Sequence, residues 1–255
     1  VAVTDAGEAA DSRLVRIMGR EGVERLRAAK VVVLGLGGVG SSCAEALVRG
    51  GVGHLVLVDH DMVQPSNLNR QALAFTSTIG KKKAQVMAAM AQDINPQVEA
   101  VPVEEFLLAE NVPEFLGKWA ADADYVVDAI DTISAKLALA EYACAHGTAL
   151  ISSMGAANKL HPECLREADL FQTVNCPLCR IMRKEGRKRG IDHLKVIYSC
   201  EQPVPVEVQE GATRRERTNL GTASYMPPIM GQMMAGAVLR ELAGLEGAEG
   251  CGSLR

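Results

Sequence analysis

Residues 31–34, VVVL, are four branched apolar side chains in a row, and they stop at a glycine cluster. From 41 to 49 the residues suit a helix, so the chain reads as a buried strand that turns through glycines into a helix. A second apolar run at 55–59 follows the turn GGVGH. Residues 31–59 are therefore one βαβ unit, whose right-handed crossover makes the two strands parallel neighbours. The alternation then repeats. A helix is predicted over 81–92, ended by Asn95-Pro96, and short strands over 98–102 and 125–130, the latter closing on Asp131. A helix over 134–146 and a strand over 149–152 complete the pattern, which predicts an α/β fold with a doubly wound, mainly parallel sheet.

Beyond Met154 the pattern changes. A basic helix is predicted over 178–189 and a strand over 196–199. Residues 201–224 are polar and punctuated by Pro and Gly, the signature of a mobile connection. A Met-rich helix follows over 226–242, with Gly231, Ala235 and Gly236 small enough for close packing, and 244–255 reads as a frayed tail. Three segments are expected within one structural domain: a helical 1–30, a nucleotide-binding 31–153 and a C-terminal 154–255.

Composition narrows the class. Of 255 residues, 48% are hydrophobic but only 4% aromatic, with a single Trp119. The core must rest on Val, Leu, Ile, Ala and Met, which favours layered α/β over a β-sandwich. No apolar window is long enough to span a membrane, and the first residues lack the basic start and apolar run of a signal peptide. The seven cysteines are odd in number and scattered, as suits reduced thiols, so a cytoplasmic protein is expected.

The chemistry begins at GLGGVG. Gly35, Gly37 and Gly40 have the G-x-G-x-x-G spacing: a tight turn, a close backbone approach to a phosphate, and helix-to-strand packing. Asp59 ends the next strand, placed to accept from a ribose. This much is a Rossmann-like phosphate site and fits a dinucleotide as well as it fits ATP. The next stretch, DHDMVQPSNLNRQ, separates them. It carries Asp61, Asn67, Arg70 and Gln71, and Lys83 follows inside GKKKA. A triphosphate carries roughly four negative charges and calls for converging cations, which Arg70 and Lys83 supply. Asp131, at the carboxyl end of its strand, suits a Mg²⁺ ion bridging the phosphates, whereas Asp128 is expected to be buried or capping.

GLGGVGS, LVDHDMVQPSNLNRQ, GKKKA followed by INP, and VDAIDT, in that order, resemble the adenylating enzymes of the ubiquitin-activating superfamily, in its HesA/MoeB/ThiF group. RIMGREGVERLRAAKVVVLG, NLNRQ and DAIDTISAKLAL point within it to the tRNA threonylcarbamoyladenosine dehydratase branch. The resemblance implies a C-terminal extension of the ubiquitin-activating-enzyme type and a Mg-ATP site of Gly37, Gly38, Asp59, Asn67, Arg70, Lys83 and Asp131. It also implies an arginine from the other subunit of a homodimer, matched best by Arg16 and next by Arg13. The implied reaction is adenylation of the threonylcarbamoyl carboxylate on tRNA, then ring closure with loss of water. A sulfur-transfer or helper protein is a further implied partner.

Other readings are weighed against this one. An adenylating enzyme acting on the C-terminal Gly-Gly of a ubiquitin-like sulfur carrier is the alternative, and it would favour a zinc site of two C-x-x-C pairs. Only Cys176 and Cys179 form such a pair, and reduced surface thiols at a helix start are the preferred reading. Cys200 is the leading candidate for a catalytic thiol, while Cys43 and Cys144 are expected to pack in the core. A nicotinamide-binding redox protein or a catalytically silent nucleotide-binding scaffold is the third reading. Residues 180–195 hold seven basic side chains against two acidic ones, in a chain of net charge −4. Arg180, Arg183, Lys184 and Arg187 share a helical face, with Lys188 beside them, and the strip is assigned to RNA contact, with Arg214, Arg215 and Arg217 as additions. The methionines at 226, 230, 233 and 234 are assigned to packing, and no chemistry to the histidines.

Overall fold

The structure is a computed structural model that describes residues 9–205 and 220–245. Seven strands form one sheet in the order β3-β2-β1-β4-β5-β7-β6. They are β1 (Lys30–Leu34), β2 (His54–Val58), β3 (Glu99–Val103), β4 (Tyr125–Asp128), β5 (Leu150–Ser153), β6 (Leu165–Asp169) and β7 (Lys195–Ser199). All neighbouring pairs are parallel except β6 with β7. The central strands are buried on both faces, which is why 31–34 and 125–128 read as unbroken apolar runs.

Helices cover both faces. On one side α1 (Ser12–Ala28), α2 (Gly38–Arg49), α3 (Lys83–Ile94) and α7 (Met226–Leu242) share a core with Val31, Val33, Leu55 and Leu57. On the other side α4 (Val112–Trp119), α5 (Ile133–His146) and α6 (Pro177–Lys188) enclose Val32, Leu34, Val56 and Val126. Alternate residues of β1 and β2 thus serve opposite layers, the period-2 geometry of a strand. The Met-rich helix α7 lies along α2. Met226, Met230 and Met234 are fully buried and Met233 partly so, as packing residues. A Cβ at Gly231 would overlap the backbone of Val39, so the close approach expected there is real. Gly236 has only Arg240 of its own helix nearby.

Several expectations need correction. Cys43 is a core thiol, and burial pushes its pKa up to about 12, but Cys144 is exposed, on the outer face of α5. Cys176 and Cys179 are at a helix start as expected, yet buried beneath it rather than on the surface. The strand at 125–130 ends at Asp128. Helix α4 and strand β6 were not anticipated: β6, LREAD, is a partly exposed edge strand whose charged middle carries no apolar period. The connection predicted over 201–224 is described only at 201–205 and 220–224. Arg214, Arg215 and Arg217 lie outside the described residues, as does the tail beyond 245.

Candidate functional site: a nucleotide cleft at the carboxyl edge of the sheet

The chain turns one way after β1 and the other after β4, so a crevice opens where these two strands lie side by side. Gly35 sits in it with φ +85°, and its missing Cβ would stand 2.8 Å from the carbonyl oxygen of Ala129, just past β4. Gly40 is held still tighter, because a Cβ there would overlap the Gly35 carbonyl oxygen. Gly37 differs: no atom lies within 4 Å of the position its Cβ would take. It is also the N-cap of α2 and provides no side-chain cap, so no side chain of the N-cap occupies the first N–H groups of this 12-residue helix. Such a helix end attracts an anion.

Asp59, directly after β2, fixes this loop from the side. One carboxylate oxygen accepts from the Leu36 N–H at 2.8 Å and the other from the Asp61 N–H at 2.8 Å. Only 8% of the residue is exposed. Lys83 opens α3 and is buried. Its Nζ lies 2.9 Å from Asp61 and 3.8 Å from Asp59, and its own N–H donates to the Asp61 carbonyl at 3.0 Å. Burial pushes the Asp61 carboxyl up, but the hydrogen bond and charge of Lys83, with His60 and Lys82, hold it below the usual carboxylate range. Lys83 therefore enters the cleft as a cation already paired.

Arg70 reaches the same place from the 3-10 turn Pro65–Asn67. A Cβ at Gly38 would come 3.2 Å from Arg70 Cγ and 2.8 Å from Pro227 Cβ, so the arginine stem and the start of α7 both lean on the glycine loop. Its guanidinium donates to the Ser66 carbonyl at 2.9 Å and to Asn69 Oδ1 at 2.8 Å. Asn67 is buried. Its Oδ1 accepts from the Gln64 N–H at 2.9 Å, so part of its work is to close the turn that carries Arg70. The neighbouring Gln71 stands out in the sequence with Asn67 and Arg70, but with no role of its own. Its Oε1 is a buried acceptor with no hydrogen-bond partner among the described residues, a signal that only burial reveals. A cavity of about 650 Å³ opens beside Arg70, lined also by Pro65, Leu68, Leu220 and Thr222.

Asp131 is exposed at the mouth of the crevice. Its partner among the described residues is the adjacent Thr132 hydroxyl, at 3.5 Å. Gly35, Gly37, Gly38, Gly40, Asp59, Asp61, Asn67, Arg70, Lys83 and Asp131 are thus all carried by turns and helix starts that follow strands of the sheet. Arg16 lies on α1, which kinks at Gly19; it is exposed, beside Ile17 at 77% exposure.

The cysteines and the basic helix resolve differently. Cys176 Sγ accepts from the Cys179 N–H at 3.5 Å, and the Cys179 thiol, donating to it, draws the Cys176 pKa down. Cys200 lies opposite Cys164 at the end of the β6–β7 ladder, its N–H donating to the Cys164 carbonyl at 3.0 Å. On α6, Arg180, Lys184, Arg187 and Lys188 are exposed. Arg183 is half-buried and donates to the Thr173 carbonyl at 2.9 Å, so it anchors the helix rather than joining the exposed strip. Lys188 pairs with Glu185 at 2.8 Å, and Arg187 lies over the Phe171 ring.

A doubly wound sheet with this cleft defines a nucleotide-binding protein, and the ThiF family model matches residues 10–253, so the chain belongs to the ThiF family. Within it, the chain is 38% identical over 240 residues to the tRNA threonylcarbamoyladenosine dehydratase of Bacillus subtilis (strain 168), covering 91% of this chain and 93% of that protein. The E. coli tRNA N6-threonylcarbamoyladenosine dehydratase, solved in complex with ATP, superposes with a TM-score of 0.83 at 28% identity, covering 98% of this chain and all of that one. A sulfur carrier protein adenylyltransferase of Thermus thermophilus is 40% identical, but over only 52% of this chain and 48% of its own length. Among the described residues no helix is long and apolar enough to cross a membrane.

Proposed function

We propose that this chain is an ATP-dependent tRNA threonylcarbamoyladenosine dehydratase. The observation that carries the reading is similarity running almost end to end with the Bacillus subtilis dehydratase, joined to a cleft built for a nucleotide phosphate. Similarity to the sulfur-carrier enzyme covers only about half of each chain. The dehydratase is therefore favoured over sulfur-carrier activation.

ATP occupies the cleft, with its phosphates over Gly37 and the N-terminus of α2, and its ribose against Asp59. Arg70 and Lys83 face the pyrophosphate as it leaves, and Asn67 holds the turn that presents Arg70. Asp131 fits a Mg²⁺ ion: it is a hard oxygen donor, exposed at the cleft mouth and unclaimed by any cation among the described residues. Bound there, the ion would neutralise charge on the phosphates. The threonylcarbamoyl carboxylate attacks the α-phosphorus, the bond to the bridging oxygen breaks, and pyrophosphate departs. An internal nitrogen of the acyl-adenylate then attacks the acyl carbon and AMP leaves, carrying the carboxylate oxygen. A proton leaves the nitrogen, and the net change is loss of water from the nucleoside, driven by ATP. Ring closure needs no enzyme thiol, and no step is assigned to Cys200.

The RNA lies along Arg180, Lys184, Arg187 and Lys188, an exposed basic face in an acidic chain. A homodimer brings Arg16 into the partner's cleft and covers Ile17. The described parts of the segments 1–30, 31–153 and 154–255 act as one unit, because α1 and α7 share a core with β1 and β2, and β6 and β7 extend the sheet of β1–β5. The site of action is the cytoplasm, where the tRNA substrate is.

Incubated with Mg-ATP and threonylcarbamoyl-modified tRNA, the protein is expected to yield a nucleoside lighter by one water, seen by mass spectrometry, with AMP released. Untouched tRNA beside adenylation of a Gly-Gly carrier peptide would reverse the assignment. Charge reversal at Arg180 and Lys184 is expected to weaken tRNA binding by about tenfold or more at low salt and to flatten its salt dependence, with ATP-dependent steps intact.

A further inference from the structure

The most deeply buried charged groups among the described residues are not in the cleft but directly beneath it. Asp128, Lys136 and Ser152 are 0%, 1% and 0% exposed. Lys136 Nζ donates to Asp128 Oδ2 at 2.9 Å and to Ser152 Oγ at 3.0 Å, and the Ser152 hydroxyl donates to the same Asp128 oxygen at 2.6 Å. The register pairs Asp128 with Leu34 of β1 on one side and with Ser152 of β5 on the other. Its second oxygen, Oδ1, accepts from the Ile130 N–H at 3.2 Å. Ala129 donates to the Leu34 carbonyl at 2.8 Å, and its own carbonyl presses on Gly35. The four-residue turn from Asp128 to Asp131 is thereby fixed at both ends: by this network below and by α5, whose Lys136 N–H donates to the Thr132 carbonyl at 3.0 Å, beyond it.

A buried ion pair is weak evidence for stability, since apolar residues of the same volume serve as well. Its placement suggests a different use. We infer that Lys136, Asp128 and Ser152 are positioning residues for Asp131: they set the turn that aims its carboxylate at the metal-bound phosphates. Lys136 also cancels the charge of Asp128, so that the triphosphate meets one carboxylate at this strand end and not two. Outer groups that orient a metal ligand commonly change metal affinity about 10- to 100-fold when removed. This inference rests on the reading of Asp131 given above.

The test measures ATP affinity with and without Mg²⁺, alongside thermal melting. Asp131→Ala should abolish the gain in affinity that Mg²⁺ brings. Ser152→Ala, which removes one leg of the network at almost constant volume, should reduce that gain by about threefold or more. The paired Asp128→Asn/Lys136→Met protein, which leaves no unpaired charge, should reduce it by about tenfold. In both, Mg-free ATP binding should stay within about twofold, and Lys136→Arg should retain most of the gain. Folded variants with the full Mg²⁺ effect, in a background where Asp131→Ala removes it, overturn the positioning role alone. An unchanged Mg²⁺ effect in Asp131→Ala overturns the Asp131 reading, and the inference with it. If even Ser152→Ala fails to fold, the network is a core element and the inference falls.

Discussion

Alanine at position 70 or 83 is expected to slow ATP-pyrophosphate exchange by about 10²- to 10³-fold, the usual loss when one fixed donor to developing charge is removed. The two variants should differ in everything else. Arg70 is half-exposed, donates among the described residues only to neighbours in its own turn and leans on Gly38 through its methylenes. Arg70→Ala should therefore fold normally, within about 1 kcal/mol of the parent. Lys83 is buried between Asp59 and Asp61, and its removal leaves a buried carboxylate and a half-exposed one without their cation. Lys83→Ala should lose about 2 kcal/mol, a Tm lower by about 4–8 °C. Calorimetry beside the exchange assay checks both. Full exchange activity in either variant would remove that residue from the triphosphate site.

A second pair of substitutions separates packing from ligand contact within one motif. Gly40→Ala places a methyl group on the carbonyl oxygen of Gly35 and 3.1 Å from the Ala129 side chain. No flexible side chain can yield there, so β1 and α2 must part. The expected cost is about 4 kcal/mol or more, seen as a Tm lower by about 10 °C or as insoluble protein. Gly37→Ala meets nothing within 4 Å, and its φ of −70° suits any residue. Its stability should fall by about 1 kcal/mol at most, the cost of a poorer N-cap. Its ATP affinity should drop by about tenfold, because the methyl group stands where the phosphate comes against the backbone. A Gly37→Ala protein that binds ATP like the parent would show that the phosphates lie elsewhere.

The sequence was informative where one local rule acts alone. The βαβ units, the glycine loop and Asp59 could be read because strand periodicity, glycine spacing and strand ends are short-range signals. Strand β6 could not, since an edge strand with a charged middle has no periodicity and exists only because β7 offers it a partner. Cys144 and the Cys176–Cys179 pair went wrong for a related reason. Helical spacing says that a residue lies on some face, not which neighbour covers it. Arg183 has the same lesson: on a helical wheel it joins the basic strip, but Thr173 is within reach and claims it.

The linear chain determined the class of the protein, because a phosphate-binding turn and the residues that follow it are written in order. It also pointed to Arg70, Lys83 and Asp131 as the charged side chains that follow this turn, the basis of the triphosphate site proposed here. Only the tertiary structure decided how those charges are held. Lys83 is already paired with Asp61, Asn67 closes a turn, and Asp128 lies over a buried lysine and serine that come from different elements. Such pairings depend on register between strands far apart in sequence and on burial that removes competing water. Neither is a property of any local stretch of the chain.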